Sequence, residues 1–163
     1  MTYARAAAAL FIAALPLFAA AAAVAKPVVV VTLAQATVVT AADGTSHLAP
    51  LDGSAPVGSG TAIRYTVSAK DTGTDAARGL ALSGRIPEGT AFTPGSVRGP
   101  GGHAEFSLDG KSFSPRPMVK VQTPAGEIMQ AADPGQYVMI RWVKDGLLDA
   151  KSSIAFSYDV RVK

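Results

Sequence analysis

Two histidines and two closely spaced aspartates are the side chains best suited by type to bind a metal ion. His47 and His103 are far apart in the sequence, so a metal site would need carboxylates brought to them by folding. Asp71 and Asp75 flank Gly73 as in a calcium loop, but a third oxygen ligand and a distal glutamate are missing from the pattern. We expect loop histidines, a turn-stabilising aspartate pair, and no metal or other cofactor.

Carboxyl and hydroxyl groups do not form a recognisable catalytic pattern. A glycosidase-like pair would draw mostly on aspartates, and four of the nine aspartates directly precede glycine, as turn residues do. Ser59 and Ser83 lack the Gly-x-Ser-x-Gly nucleophile motif. The glycine-rich residues 99–102 precede no predicted helix and therefore do not form a phosphate loop. We predict that the protein is not an enzyme and has no catalytic residue.

Trp142, the sole tryptophan, is the side chain best suited to stack on a sugar ring. Exposed beside Tyr137, it would favour a carbohydrate-binding platform, whereas burial would remove that platform. The apolar neighbours Val138 and Ile140 favour burial in a core strand.

Strand patterns position these residues throughout the chain after residue 25. Residues 63–70 and 153–162 alternate between apolar and polar side chains, as strands with one buried face do. Residues 28–40 are rich in valine and threonine and predict one long strand or two short ones that divide at 34–36. A segment as apolar as residues 28–31 must pair with the sheet or with the edge of a partner.

The remaining segments predict further strands separated by turns. Residues 41–60 predict a loop with a short strand at 47–51, and residues 80–86 predict a strand. Asp109 and Gly110 predict a hairpin, and the apolar run 137–143 predicts a central strand buried on both sides. No segment has a helical period, so we predict an all-β antiparallel sandwich of roughly seven to nine strands.

The first 25 residues have the features of a signal peptide. Arg5 precedes an apolar stretch, and residues 23–25 give the small-x-small pattern that a signal peptidase cuts. We expect cleavage between Ala25 and Lys26. An uncleaved anchor is the alternative, since residues 6–25 are about long enough to span a bilayer.

Composition agrees with export and argues against nucleic acid as a partner. The net charge of +3 is small and scattered, and charged residues make up 17% of the chain. Cysteine and asparagine are both absent, so disulfides and N-glycosylation are impossible and aspartate must serve in the turns. We expect a periplasmic or secreted bacterial protein that is not inserted in the membrane after cleavage.

Several motifs resemble the immunoglobulin-like bacterial surface domain known as the conserved repeat domain, or domain of unknown function 11. The residues that carry the resemblance are Tyr65, Val67, Asp71, Gly73, Pro87, Gly89, Asp109, Gly110 and Trp142. This chain has Asp71 where the family has asparagine, and it lacks the family's aspartate before the Ile-Pro step. The resemblance covers roughly residues 57–162 and implies an immunoglobulin-like fold but no catalytic residue.

Together these features predict a signal peptide (residues 1–25), N-terminal strands with a loop (26–56) and an immunoglobulin-like domain (57–163). We expect an exported, non-enzymatic module of the cell envelope with a structural, protein-interaction or adhesion role. Its partner would be an unidentified envelope protein or surface polymer. The alternative is a glycan- or small-molecule-binding module that uses the loops at 43–60 and 98–102.

Overall fold

The computed structural model describes residues 26–51 and 56–163. The predicted signal peptide, including Ala25, lies outside the described residues. The described residues form β-strands in antiparallel sheets and a single turn of 3₁₀ helix at Pro134–Gln136. This confirms the predicted all-β antiparallel sandwich.

The first sheet contains the two longest strands of alternating sequence. Its members are β1 (Val29–Thr40), β2 (Ser46–Pro50), β3 (Ala62–Asp71), β6 (Thr90–Phe92) and β12 (Ser153–Val162). They pair in the order β2-β1-β3-β12-β6, and every pair is antiparallel. Residues 28–40 were predicted to form one strand or two, and all of them except Val28 form the single strand β1. The N-terminal strands share a sheet with the predicted immunoglobulin-like domain.

A smaller sheet and two ribbons complete the described fold. The remaining strands are β4 (Ala77–Arg78), β5 (Ala81–Arg85), β7 (Gly102–Ser107), β8 (Met118–Thr123), β9 (Gly126–Ala131), β10 (Met139–Lys144) and β11 (Leu147–Leu148). The second sheet has the order β5-β10-β7, while β4 pairs with β11 and β8 pairs with β9. The two main sheets together hold eight of the described strands, which is within the predicted range.

The core lies between the two main sheets and is rich in aromatic rings. Tyr65 of β3 stacks on Tyr158 of β12 with ring centroids 5.4 Å apart. Trp142 of β10 stacks on Phe156 of β12 at 5.6 Å and thereby joins the two sheets. Burying a large apolar side chain contributes about 1.5–3 kcal/mol, so these rings are major sources of stability.

The close approach of β5 to β12 depends on Gly84. A Cβ at this position would lie 2.5 Å from the hydroxyl oxygen of Tyr158. The same hydroxyl donates a hydrogen bond of 2.6 Å to the carbonyl of Arg85. Glycine lets the tyrosine ring lie flat against the β5 backbone, because any side chain here would displace it.

The prediction that residues 137–143 are buried on both sides is wrong. Ile140 and Trp142 face the core, whereas Arg141 faces outward on β10 and pairs with Glu105 of β7. The Arg141 guanidinium also lies 4.2 Å from the centre of the Phe113 ring. The outward-facing residues Met139, Arg141 and Val143 are half-buried, so β10 is central within its sheet but fully buried on one face only.

The hairpin predicted after β7 needs adjustment. Asp109 and Gly110 form a turn, but the returning chain pairs only through a bridge between Phe106 and Ser114, not through a full hairpin strand. A hairpin forms further along the chain, where residues 118–131 make the β8–β9 ribbon, which pairs with neither main sheet. Within the described part of the chain, no helix is long and apolar enough to cross a membrane.

Candidate functional site

The residues that carry the family resemblance lie in the core and in turns, and they do not converge on one site. Tyr65, Val67 and Trp142 are buried core side chains. The others lie at three separate turns: Asp71 and Gly73 at the end of β3, Pro87 and Gly89 after β5, and Asp109 and Gly110 after β7. These nine positions therefore specify architecture.

Four aspartates stabilise turns through side-chain hydrogen bonds to the backbone, as expected in a chain without asparagine. In each, a carboxylate oxygen accepts a hydrogen bond from the backbone N–H two residues ahead. The pairs are Asp43 with Thr45 (2.9 Å), Asp71 with Gly73 (2.7 Å), Asp109 with Lys111 (2.8 Å) and Asp133 with Gly135 (2.7 Å).

Hydrogen bonding in two of these turns also lowers the pKa of the aspartate carboxyl group. The N–H groups of Ser112 and Lys111, with the Ser107 hydroxyl, hold the pKa of Asp109 well below its usual range. The Thr45 hydroxyl and N–H lower the pKa of Asp43. Both carboxylates stay charged to stabilise backbone geometry, which argues against a role as general acids.

The residues considered as metal ligands do not assemble into a cluster. The expectation of loop histidines is wrong, because His47 is exposed on β2 and His103 lies on β7. Asp75 is exposed in the turn after β3. His103 on β7 lies 3.5 Å from a carboxylate oxygen of Asp145 and 4.0 Å from one of Glu105. Among residues 26–51 and 56–163, no three histidine or carboxylate side chains are placed to hold a metal ion.

Trp142 is not available as a sugar platform. Its side chain is 1% exposed and stacks on Phe156 inside the core. A buried tryptophan offers no surface on which a sugar can stack, so the prediction of Trp142 as a core residue is confirmed.

The described parts of the two loops considered for ligand binding contact different parts of the five-stranded sheet. Arg98 pairs with Ser157 on the edge of β12 beyond β6. Residues 43–51 of the other loop flank or form β2, and β1 and β3 lie between them and β12. The same loop ends at Gly60, whose N–H donates to the carbonyl of Val162 at the C-terminal end of β12. Where the structure describes them, the two loops do not form one concave site.

The most distinctive surface is the free edge of β1. Val28 directs its carbonyl to the N–H of Thr72 and its own N–H to Asp71, on the β3 side. The backbone N–H and carbonyl groups of successive residues point to alternate sides of a strand. Val29, Val31 and Leu33 therefore direct their N–H and carbonyl groups to the side away from β3. There β2 pairs only with residues 36–40. Residues 29–35, here called the β1 edge, thus have no pairing strand among the described residues.

The inner face of the β1 edge is also uncovered. Val31 and Leu33 pair with Ala69 and Val67 of β3, which are buried, so all four side chains point to the same side of the sheet. Yet Val31 is 55% exposed and Leu33 is 58% exposed. The three-stranded sheet ends with β5, which lies over β3, and so does not reach β1.

The uncovered face forms one wall of a groove of about 340 Å³. Val31, Leu33 and Gln35 line it from β1, and the β5 strand lines the other side. Tyr65, Val67 and Tyr158 form the floor. We call this feature the β1–β5 groove; its walls are mainly apolar.

Other sheet edges carry features that block pairing. The edge of β7 is covered at Phe106 by Ser114, and the edge of β12 is covered at Ser157 by Arg98. On β5, the charged Arg85 has its carbonyl bonded to the Tyr158 hydroxyl. Proteins commonly protect edges with charges, prolines or covering segments, and the β1 edge has none of these among the described residues.

Sequence reasoning detected part of this surface. The apolar residues 28–31 indicated a segment that must pair, and they do pair with β3 along one side. The groove was missed because it depends on how far the second sheet extends, which no local pattern records. Comparisons with protein-family models, curated proteins and solved structures found no match.

Proposed function

We propose that this chain is an exported, non-enzymatic binding module of the bacterial cell envelope that holds a polypeptide at the β1 edge. The observation that carries the proposal is an uncharged strand edge, seven residues long, beside the exposed side chains of Val31 and Leu33. An unprotected edge of this kind is a template for an added strand. The envelope location rests on the signal-peptide pattern and the family resemblance.

The chemistry of this surface suits protein better than glycan. Backbone donors and acceptors in a row pair with the backbone of an extended segment, and alternate apolar positions contact its side chains. Sugars are held by polar side chains and exposed aromatic faces, and Trp142 is buried. Glycan or small-molecule binding at the loops 43–60 and 98–102 remains a less favoured alternative, because their described parts are separated.

The test compares envelope proteins bound by the wild-type chain and by two charged variants. Leu33→Lys places a charge in the β1 edge, where it opposes burial under an added strand. Leu147→Lys is the matched control, because Leu147 is also exposed (41%) but lies on β11, away from the β1 edge. Immobilised full-length chains are exposed to detergent extracts of the envelope, and bound proteins are identified by mass spectrometry.

We expect at least one protein to bind the wild type and the Leu147→Lys variant but to be lost, by about tenfold or more, from Leu33→Lys. Equal recovery by all three chains would place binding elsewhere on the molecule. Recovery of no protein, including further copies of this chain, would contradict the proposal.

A further inference from the structure

We propose that the partner at the β1 edge is a second copy of this chain, paired antiparallel through β1 about a two-fold axis. This inference rests on the proposed function, because it identifies the polypeptide held at that edge. Closed two-fold dimers are the commonest oligomers of soluble proteins, and their interfaces use the same surface from both copies. The surface must therefore be complementary to itself.

The charge pattern of β1 meets this requirement. A two-fold axis beside a strand pairs that strand with its own copy. A charged residue near the axis would therefore lie opposite the same charge on the other copy and be repelled by it. Residues 27–42 contain no charged residue, and the nearest charges are Lys26 and Asp43. The β5 edge, by contrast, would bring two copies of Arg85 into one short interface.

The position of β2 limits the possible registers. Pro50 lies opposite Ala36, so β2 occupies the same side of β1 from that residue onward. An axis at Val31 places Val31 opposite its copy and Val29 opposite Leu33, and it keeps the paired residues 29–33 clear of β2. These three residues direct their N–H and carbonyl groups to the free side, which gives about six backbone hydrogen bonds between the copies.

The side chains support the same register. Val29, Val31 and Leu33 lie on the inner face, so the axis at Val31 places the apolar side chains of the two copies directly opposite one another. On the outer face, Val30 lies opposite Thr32. Apolar and β-branched cross-strand pairs of this kind stabilise sheets. In this dimer the five-stranded sheets of the two copies join into one continuous sheet.

Cross-linking tests the register directly, because the chain contains no cysteine. Val31→Cys should form a disulfide-linked dimer under mild oxidation, since the Cα atoms of an opposed pair lie about 5.5 Å apart. Leu48→Cys is the control, with similar exposure (49%) on β2. Dimer formation by Val31→Cys at least tenfold faster than by Leu48→Cys supports the proposal; equal rates, or no dimer, overturn it.

Sedimentation velocity over a range of protein concentrations tests the unmodified interface. We expect a reversible dimer for the wild-type chain and for Val31→Thr, which keeps an uncharged β-branched residue. Val31→Lys should be monomeric, because it places two ammonium groups opposite each other. Thermal unfolding establishes that each variant is folded; a folded Val31→Lys chain that remains dimeric overturns the proposal.

The outcomes separate this inference from the proposed function. A wild-type chain that is monomeric at all concentrations overturns the dimer, yet the proposed function survives if Leu33→Lys still loses an envelope protein that the wild type binds. A dimer disrupted by Val31→Lys supports both. A dimer that persists in Leu33→Lys and Val31→Lys overturns the β1 interface.

Discussion

The side chain of Asp71 links the end of β3 to the residue before β1. One oxygen of its buried carboxylate accepts hydrogen bonds from the N–H groups of Gly73 (2.7 Å) and Val28 (3.3 Å). It thereby fixes the turn after β3 to the residue that precedes β1. The other oxygen has no hydrogen-bond partner among the described residues. The packing is tight, because a Cβ on Gly73 would lie 2.7 Å from the carbonyl oxygen of Lys26.

We predict different effects for two substitutions of Asp71. Asp71→Ala should reduce the free energy of unfolding by about 2–3 kcal/mol, because it leaves the buried N–H of Gly73 and the partly buried N–H of Val28 without an acceptor. Asp71→Asn keeps an acceptor and removes a buried charge whose second oxygen is unpaired, so the change should stay within about 1 kcal/mol. Urea unfolding measures both values. An Asn variant as unstable as the Ala variant would show that the charge itself is required.

Tyr158 should make the protein sensitive to alkali. Burial raises the pKa of Tyr158 well above the ordinary value of 10.0, with a further contribution from the neighbouring Tyr65. The folded state thus favours the neutral phenol, and the associated stability is complete below about pH 10 and is lost as the pH rises above it. We predict a fall in the free energy of unfolding above about pH 10, measured by urea unfolding at a series of pH values.

The Tyr158→Phe variant is the matched control for that prediction. It should lose about 1 kcal/mol at neutral pH, because the Arg85 carbonyl loses its donor, and its stability should fall less steeply above about pH 10. Burial also raises the pKa of Tyr65 and of Tyr137, so some alkaline dependence should remain. An unchanged slope in Tyr158→Phe would assign the sensitivity to other groups.

At the scale of elements, the strands differ in what covers them. β3 and β12 are central in the first sheet and contribute most of its core side chains. They are also joined on the outer face, where Arg64 donates two hydrogen bonds to Asp159 (2.7 and 2.8 Å). The β8–β9 hairpin pairs only with itself and has exposed apolar side chains, including Ile128 and Met129. Its contribution to the stability of the sandwich should therefore be small.

We predict that the β8–β9 hairpin can be removed without unfolding the protein. Met118 and Ala131 are paired, so residues 119–130 can be replaced by a two-residue Asn-Gly turn. The free energy of unfolding should change by less than about 1 kcal/mol, because the deleted residues are largely exposed. Circular dichroism and thermal unfolding measure the outcome. A loss of cooperative unfolding would show that the hairpin supports the core.

For the whole molecule, the proposals describe a small sandwich that is exported and joined edge to edge. The residues from which export is proposed precede Val28, and the residues proposed to pair with a second copy follow closely in β1. A chain processed at the predicted site would begin only three residues before β1. Cleavage would therefore remove the apolar leader and leave the β1 edge close to the new N-terminus.

We predict that the exported protein begins at Lys26. The chain is expressed in full in a bacterial host, and the periplasmic and secreted fractions are analysed by N-terminal sequencing and intact mass measurement. The result expected is cleavage after Ala25, as the small-x-small pattern requires. A mature start elsewhere would move the site, and a membrane-bound chain that retains Met1 would contradict soluble export.

The sequence by itself determined the all-β class, the strand segments with clean alternation and the turns at Asp71 and Asp109, because these depend on neighbouring residues along the chain. Only the tertiary structure decided which apolar side chains are covered. Trp142 and Leu33 both lie in apolar strands, yet Trp142 is buried under β12 while Leu33 is 58% exposed. The difference arises because the second sheet ends at β5, and the extent of a sheet is fixed by pairing between residues far apart in sequence.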